Sequence, residues 1–137
     1  MGTIRLLTGI LAGAALMSCG GGNGNNPDVP TPGNLTLAAT GTVPAGAGAI
    51  LLTVSGGSTG IDTLVPASGY SDYSKRLTSG SFRTVLVGEV VAGNLATIHV
   101  PDTRKVSSYT ATVGQAANST TFAAMTASSF TVTVSAP

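Results

Sequence analysis

The chain has 137 residues, 8% of them charged, and its six Lys and Arg against five Asp and Glu leave a formal net charge of +1. That balance excludes the basic stripe through which proteins hold nucleic acid, so no nucleic-acid partner is expected. A single Cys excludes an internal disulfide, and with one His beside it the chain is short of the three or four ligands of a zinc site; neither metal nor cofactor is expected.

The N-terminal tract carries one positive charge, Arg5, and an apolar stretch from Ile4 to Leu16. A positive n-region with an apolar segment of about 7–15 residues is the form of an export signal. The stretch is too short for a membrane span, which needs about 20 apolar residues. A peptidase cleft requires small residues before the cut, and Ser18 meets that need next to Cys19.

The run Leu16-Met17-Ser18-Cys19 resembles the lipobox of bacterial lipoproteins. Leu16, Ser18 and Cys19 match its pattern, while Met17 is a less usual choice at the middle position. The resemblance implies a signal peptide over residues 1–18 and a diacylglyceryl thioether on the Cys19 thiol. It also implies cleavage before Cys19 and acylation of the new amino group, so palmitate would be incorporated. Two or three acyl chains anchor stably where one does not. The membrane is therefore the expected partner of the N-terminus. Gly20 stands where an Asp would signal retention at the inner membrane, which implies the outer membrane, with the domain facing either the periplasm or the cell surface.

Residues 19–33 read as the lipidated Cys and a linker of Gly, Asn and Pro, with Asp28 its only charge. Such a segment has too little apolar surface to offset the entropy of ordering. Its Gly/Asn half is a flexible coil and its Pro half is stiffer; the whole spans roughly 20 Å on average by square-root scaling.

Residues 34–137 form one domain by size. They are rich in Thr, Val, Ala, Gly and Ser, and β-branched residues bounded by Gly, Asn and Pro read as strands and turns. Alternation places Leu35, Leu37 and Ala39 on one face of a first strand, and Ile50, Leu52 and Val54 on one face of a second. Leu51 lies opposite, so the second strand is expected to be buried on both sides. Weaker strands are expected from Gly60 to Val65 and from Tyr70 to Leu77. Phe82, Thr84 and Leu86 then share a face, as do Ala96, Ile98 and Val100, with Leu95, Thr97 and His99 opposite. Tyr109, Ala111 and Val113 follow, then Phe130, Val132 and Val134. Period-two patterning sorts each set to one side of a sheet. Ala116 to Ala127 reads as a connection, because Asn118-Ser119-Thr120-Thr121 is poor helix material. The expectation is an all-β, antiparallel two-sheet sandwich of about seven to eight strands.

Two local resemblances bear on that architecture. Ser107 to Val113 resembles a late strand of immunoglobulin-like domains, in which a Tyr begins the strand and its hydroxyl ties back to a corner. Phe82 to Val100 is similar to late strands of cohesin-like jelly rolls. Both imply a sandwich and transfer little function.

The chemical inventory is thin. His99 alternates with core positions, so it is expected on the face opposite the core, and no G-x-S-x-G elbow supports a hydrolase triad. Asp62, Asp72, Glu89 and Asp102 read as solvated loop charges with no D-x-D-x-D-G calcium loop. Lys75-Arg76 and Arg104-Lys105 read as solvated edge-strand charges. Tyr70 and Tyr73 are the candidate ligand-binding pair, as a platform for sugar rings. Their spacing sends them to opposite faces of a strand, which weakens the platform. The reading is a non-enzymatic cell-envelope lipoprotein whose domain binds an envelope protein or polysaccharide. The alternatives are a periplasmic accessory factor that acts by strand addition, with Phe130 to Ser135 as its free edge, and a small envelope hydrolase using His99.

Overall fold

The computed structural model describes residues 29–137. The signal segment, Cys19 and the spacer as far as Asp28 lie outside the described residues. Nine strands follow in order: β1 (Gly33–Thr40), β2 (Ala47–Ser55), β3 (Thr63–Pro66), β4 (Ser71–Arg76), β5 (Phe82–Val87), β6 (Gly93–Val100), β7 (Thr110–Asn118), β8 (Ala124–Met125) and β9 (Thr131–Ser135). Short 3-10 helices occupy Thr103–Ser108 and Ala127–Ser129. The strands form a four-stranded sheet in the order β3-β6-β1-β9 and a five-stranded sheet in the order β4-β5-β2-β7-β8. All pairings are antiparallel. The all-β sandwich expected from the alternation is therefore the fold.

The core lies between the sheets and is made of the predicted alternating sets. Leu35, Leu37, Ile50, Leu52, Val54, Leu86, Ile98 and Val100 are all buried. The alternation fails at three places, and all are bulges, one of which leaves Gly48 extra on β2 between Ala47 and Ala49. The β1–β6 register shifts at Leu37/Ala38, so Leu37 faces Ala96 while Ala38 faces Asn94. Leu95 is left over and turns inward beside Ala96, and both are fully buried. A bulge inserts one residue and resets the pleat, which is why Leu95 does not share the outward face with Thr97. On β7, Leu52 faces Val113 and Leu51 faces Gln115, so Gly114 is the extra residue.

Three further expectations need adjustment. Leu51 is only half-buried, because its face of the sheet is turned outward. The Ala-rich segment is not simply a connection: β7 continues to Asn118, and Ala124–Met125 returns along it as β8. Strand β1 begins at Gly33, and Thr31 is already bonded to the domain, so the last residues of the spacer join the fold.

The chain enters at one end of the sandwich, beside the loops at 56–62, 77–81 and 101–109. Registers then place the loops at 41–46, 88–92 and 119–123 at the far end. At the near end, Asp102 is buried and accepts hydrogen bonds from Thr31 N–H at 3.2 Å and from Arg104 Nε at 2.9 Å. Arg104 Nη2 donates to its other oxygen at 3.0 Å, and the Asp102 carboxylate caps the 3-10 helix by accepting from the Arg104 N–H. The Thr31 carbonyl in turn accepts from the Thr103 N–H at 2.8 Å. The Arg104 guanidinium holds the Asp102 carboxyl well below the usual carboxylate range, against the opposing effect of burial. Asp102 is thus a structural latch rather than a solvated loop charge.

Candidate functional site

Among the described residues, the outward face of the five-stranded sheet, with its adjoining loop, exposes Tyr73, Val87 and Phe122. Its rows follow from register. Tyr73 lies opposite Val85, Val85 opposite Leu51, and Leu51 opposite Gln115. One row toward the far end, Ser71, Val87, Ala49, Ala117 and Ala124 align. One row toward the near end, Lys75 faces Arg83, and Arg83 faces Thr53. Like charges placed directly across a ladder repel, and Lys75 and Arg83 do so on a face otherwise free of charge.

A groove of about 480 Å³ runs over the β2–β7–β8 part of this face. Its walls include Leu51, Val85, Gly114, Ala117, Phe122 and Met125, and no charged residue. Phe122 is the most exposed large apolar side chain of the described residues, at 82%. Its backbone has φ of 57°, the left-handed region that bulky residues avoid. The loop enforces that conformation. Asn118 Oδ1 accepts from the N–H groups of Thr120 and Thr121, both at 2.9 Å, an Asx turn of the usual kind. The Phe122 N–H donates to the Asn118 carbonyl at 3.1 Å, and the Ser119 N–H donates to the Gly46 carbonyl at 2.8 Å. A strained residue held by its surroundings and pointed at solvent is a pointer to function.

Tyr70 and Tyr73 do not meet. Tyr70 precedes β4, packs against the core, and donates its hydroxyl to the Glu89 carbonyl at 2.9 Å. Tyr73 stands on the outward face, 72% exposed, at the margin of the apolar rows. The sequence pointed at Tyr73 through its aromatic character but only indirectly at Phe122. The one available signal was the Asn118-Ser119-Thr120-Thr121 turn that precedes it.

His99 pairs with Asp62 through Nδ1 at 3.1 Å, and both side chains are about half exposed. The Asp62 N–H also donates to the His99 carbonyl at 2.9 Å, fixing the strand ends. Among the described residues, the His99 ring has no other side-chain partner, and the pair lies on the four-stranded sheet, away from the groove. Also among the described residues, no three of His, Cys, Asp and Glu cluster as a metal site would require.

Tyr109 begins the chain's approach to β7. It is buried, and its hydroxyl lies 2.9 Å from Thr59 Oγ1. The ring packs so closely on Gly56 that a Cβ there would come within 2.8 Å of Tyr109 Cε1, which explains the glycine.

Comparison of the chain with known protein families, with characterised proteins and with solved structures finds no match.

Proposed function

We propose that this protein is a lipid-anchored protein of the bacterial cell envelope whose β-sandwich is a non-catalytic binding domain for a protein partner. The observation that carries the reading is Cys19 in the run Leu16-Met17-Ser18-Cys19, followed by a Gly/Asn/Pro spacer. That order is what an exported, acylated and tethered domain requires. Of the two ligand classes, protein is favoured over polysaccharide. Tyr70 and Tyr73 form no common platform, and the groove is walled mainly by aliphatic and aromatic side chains, with Gln115 the one polar side chain that lines it. A non-catalytic role accords with the His99–Asp62 pair, which stands on the four-stranded sheet and lines no part of the groove.

Metabolic labelling with palmitate tests the anchor. The wild-type chain incorporates label and Cys19→Ser does not; label persisting in Cys19→Ser overturns the reading. Protease shaving of intact cells, with detection of the 34–137 domain before and after permeabilisation, then distinguishes the cell surface from the periplasm.

A further inference from the structure

The two flanks of the sandwich end in different ways. On one flank, β3 and β4 are the edge strands. β3 ends in Pro66, and β4 carries Asp72, Lys75 and Arg76. Charges and proline on an edge deter further pairing. This flank is also closed by a side chain: Arg76 Nη1 donates to the Ile61 carbonyl at 2.7 Å, and Nη2 donates to the Asp62 carbonyl. Its guanidinium sits 4.8 Å from the centroid of the Phe82 ring.

On the other flank, β9 and β7 lie at the margin, with sequences TVTVS and TATVGQAAN and no charge in either. β8 covers β7 only at Ala116 and Ala117. Residues 110–115 have β2 on one side and, among the described residues, no backbone partner on the other. Unpaired N–H and C=O groups in an extended row are complementary to one kind of ligand, another extended backbone. The apolar groove opens beside this same row, with Gly114 and Gln115 in its wall. Gly114 is the bulge residue, and a Cβ there would stand 3.5 Å from Leu51 Cδ2, in ordinary contact with the groove wall.

We propose that the outer edge of β7, residues 110–115, accepts an added strand from a partner protein, with an apolar side chain of that strand seated in the groove beside Phe122. The main chain supplies affinity and the groove supplies specificity, as in β-augmentation generally. The absence of charge on both the edge and the groove walls defines the occupant. It is an uncharged extended segment, rich in β-branched residues, with a bulky apolar residue facing the groove. The proposal rests on the reading of the sandwich as a binding domain and not on the lipid anchor.

The test is selection of random peptides about ten residues long, the upper range of strand length, on the full chain in mild detergent. The double variant Thr110→Lys/Thr112→Lys, which charges the edge at two exposed positions, serves as counter-selection. Selected peptides are expected to be uncharged and alternating, to bind the double variant at least about tenfold more weakly, and to slow amide exchange at residues 110–115. Gly114→Leu fills the groove mouth and is expected to weaken binding by about tenfold, within what one seated apolar side chain contributes. No enrichment, charged or helical winners, equal binding to the double variant, or protection centred on β9 instead would each overturn the proposal. Concentration-dependent protection of 110–115 without peptide would also overturn it, since a second copy would then be the occupant. None of these outcomes alters palmitate labelling, so failure here is distinct from failure of the anchored-protein reading.

Discussion

The β3/β4 flank and the β7/β9 flank belong to the same two sheets, yet one is shut and the other is open. Arg76 makes the difference on the shut side. It bridges from the five-stranded sheet to the carbonyls of residues 61 and 62 and covers Phe82. On the open side, the sheets meet through short apolar side chains, with Ala111, Val113 and Val134 only half-buried. An edge without charge or proline is an aggregation hazard that natural sheets ordinarily suppress, and on β7 the Gly114 bulge and the adjacent Ala127–Ser129 helix limit it only in part. Its retention on one flank alone is the pattern expected of a binding edge.

If β7 is to stay in place with its outer edge unpaired, its fixed points must lie elsewhere. The largest effect is therefore expected at Tyr109. Tyr109→Ala should cost about 3–5 kcal/mol by the usual scale for buried aromatic truncation, measured by urea unfolding. A loss under about 1 kcal/mol would mean that β7 is held by something else. Arg76→Ala should come next, with a loss of about 1–2 kcal/mol from charge-assisted bonds at a partly exposed site. If it is neutral, the shut flank is not shut by Arg76 and the contrast between the flanks fails. Phe122→Gly removes left-handed strain worth about 1–3 kcal/mol and gives back roughly 0.5–1 kcal/mol in chain entropy. Its stability should equal or slightly exceed the parent's while peptide binding falls. A clear destabilisation would make Phe122 structural instead. Thr110→Lys/Thr112→Lys should change stability by no more than about 0.5 kcal/mol, as surface substitutions do.

Acid acts on stability through Asp102 only below about pH 4. The folded protein keeps Asp102 ionised more readily than the unfolded chain does, where a carboxyl titrates near pH 3.9. As pH falls, the unfolded chain binds the proton first, so the stability linked to this group is whole above about pH 4 and declines below it. Urea midpoints from pH 7 to pH 2 should show that decline in the wild type and a shallower one in Asp102→Asn.

Much of the sandwich was legible because burial on one face of a strand leaves a period of two in the sequence. Ile50, Leu52 and Val54, or Phe82, Thr84 and Leu86, need no partner to be recognised. What was not legible depended on partners far along the chain or on a change of phase. Leu95 broke the alternation because a bulge opposite Leu37 and Ala38 turned it inward, and a bulge leaves no periodic mark. Asp102 looked like a loop charge because Thr31, one of its partners, lies 71 residues away. Phe122 looked like part of a linker, since its exposure follows from a turn built on Asn118 and braced by Gly46. The open edge of β7 was hidden for a similar reason: which strand ends a sheet is a property of strand order, and strand order is not written in local pattern.

The latch at Asp102 sets how the domain bears load. A pull on the chain ahead of Thr31 reaches the Asp102 and Thr103 bonds first, then runs along β1. β1 is an interior strand, laddered to β6 on one side and β9 on the other. Tension along that axis strains both ladders in shear, so their hydrogen bonds resist together rather than opening one after another. The near end is thus built as a mechanical grip, and the far end and the β7 edge are left unloaded until something holds them.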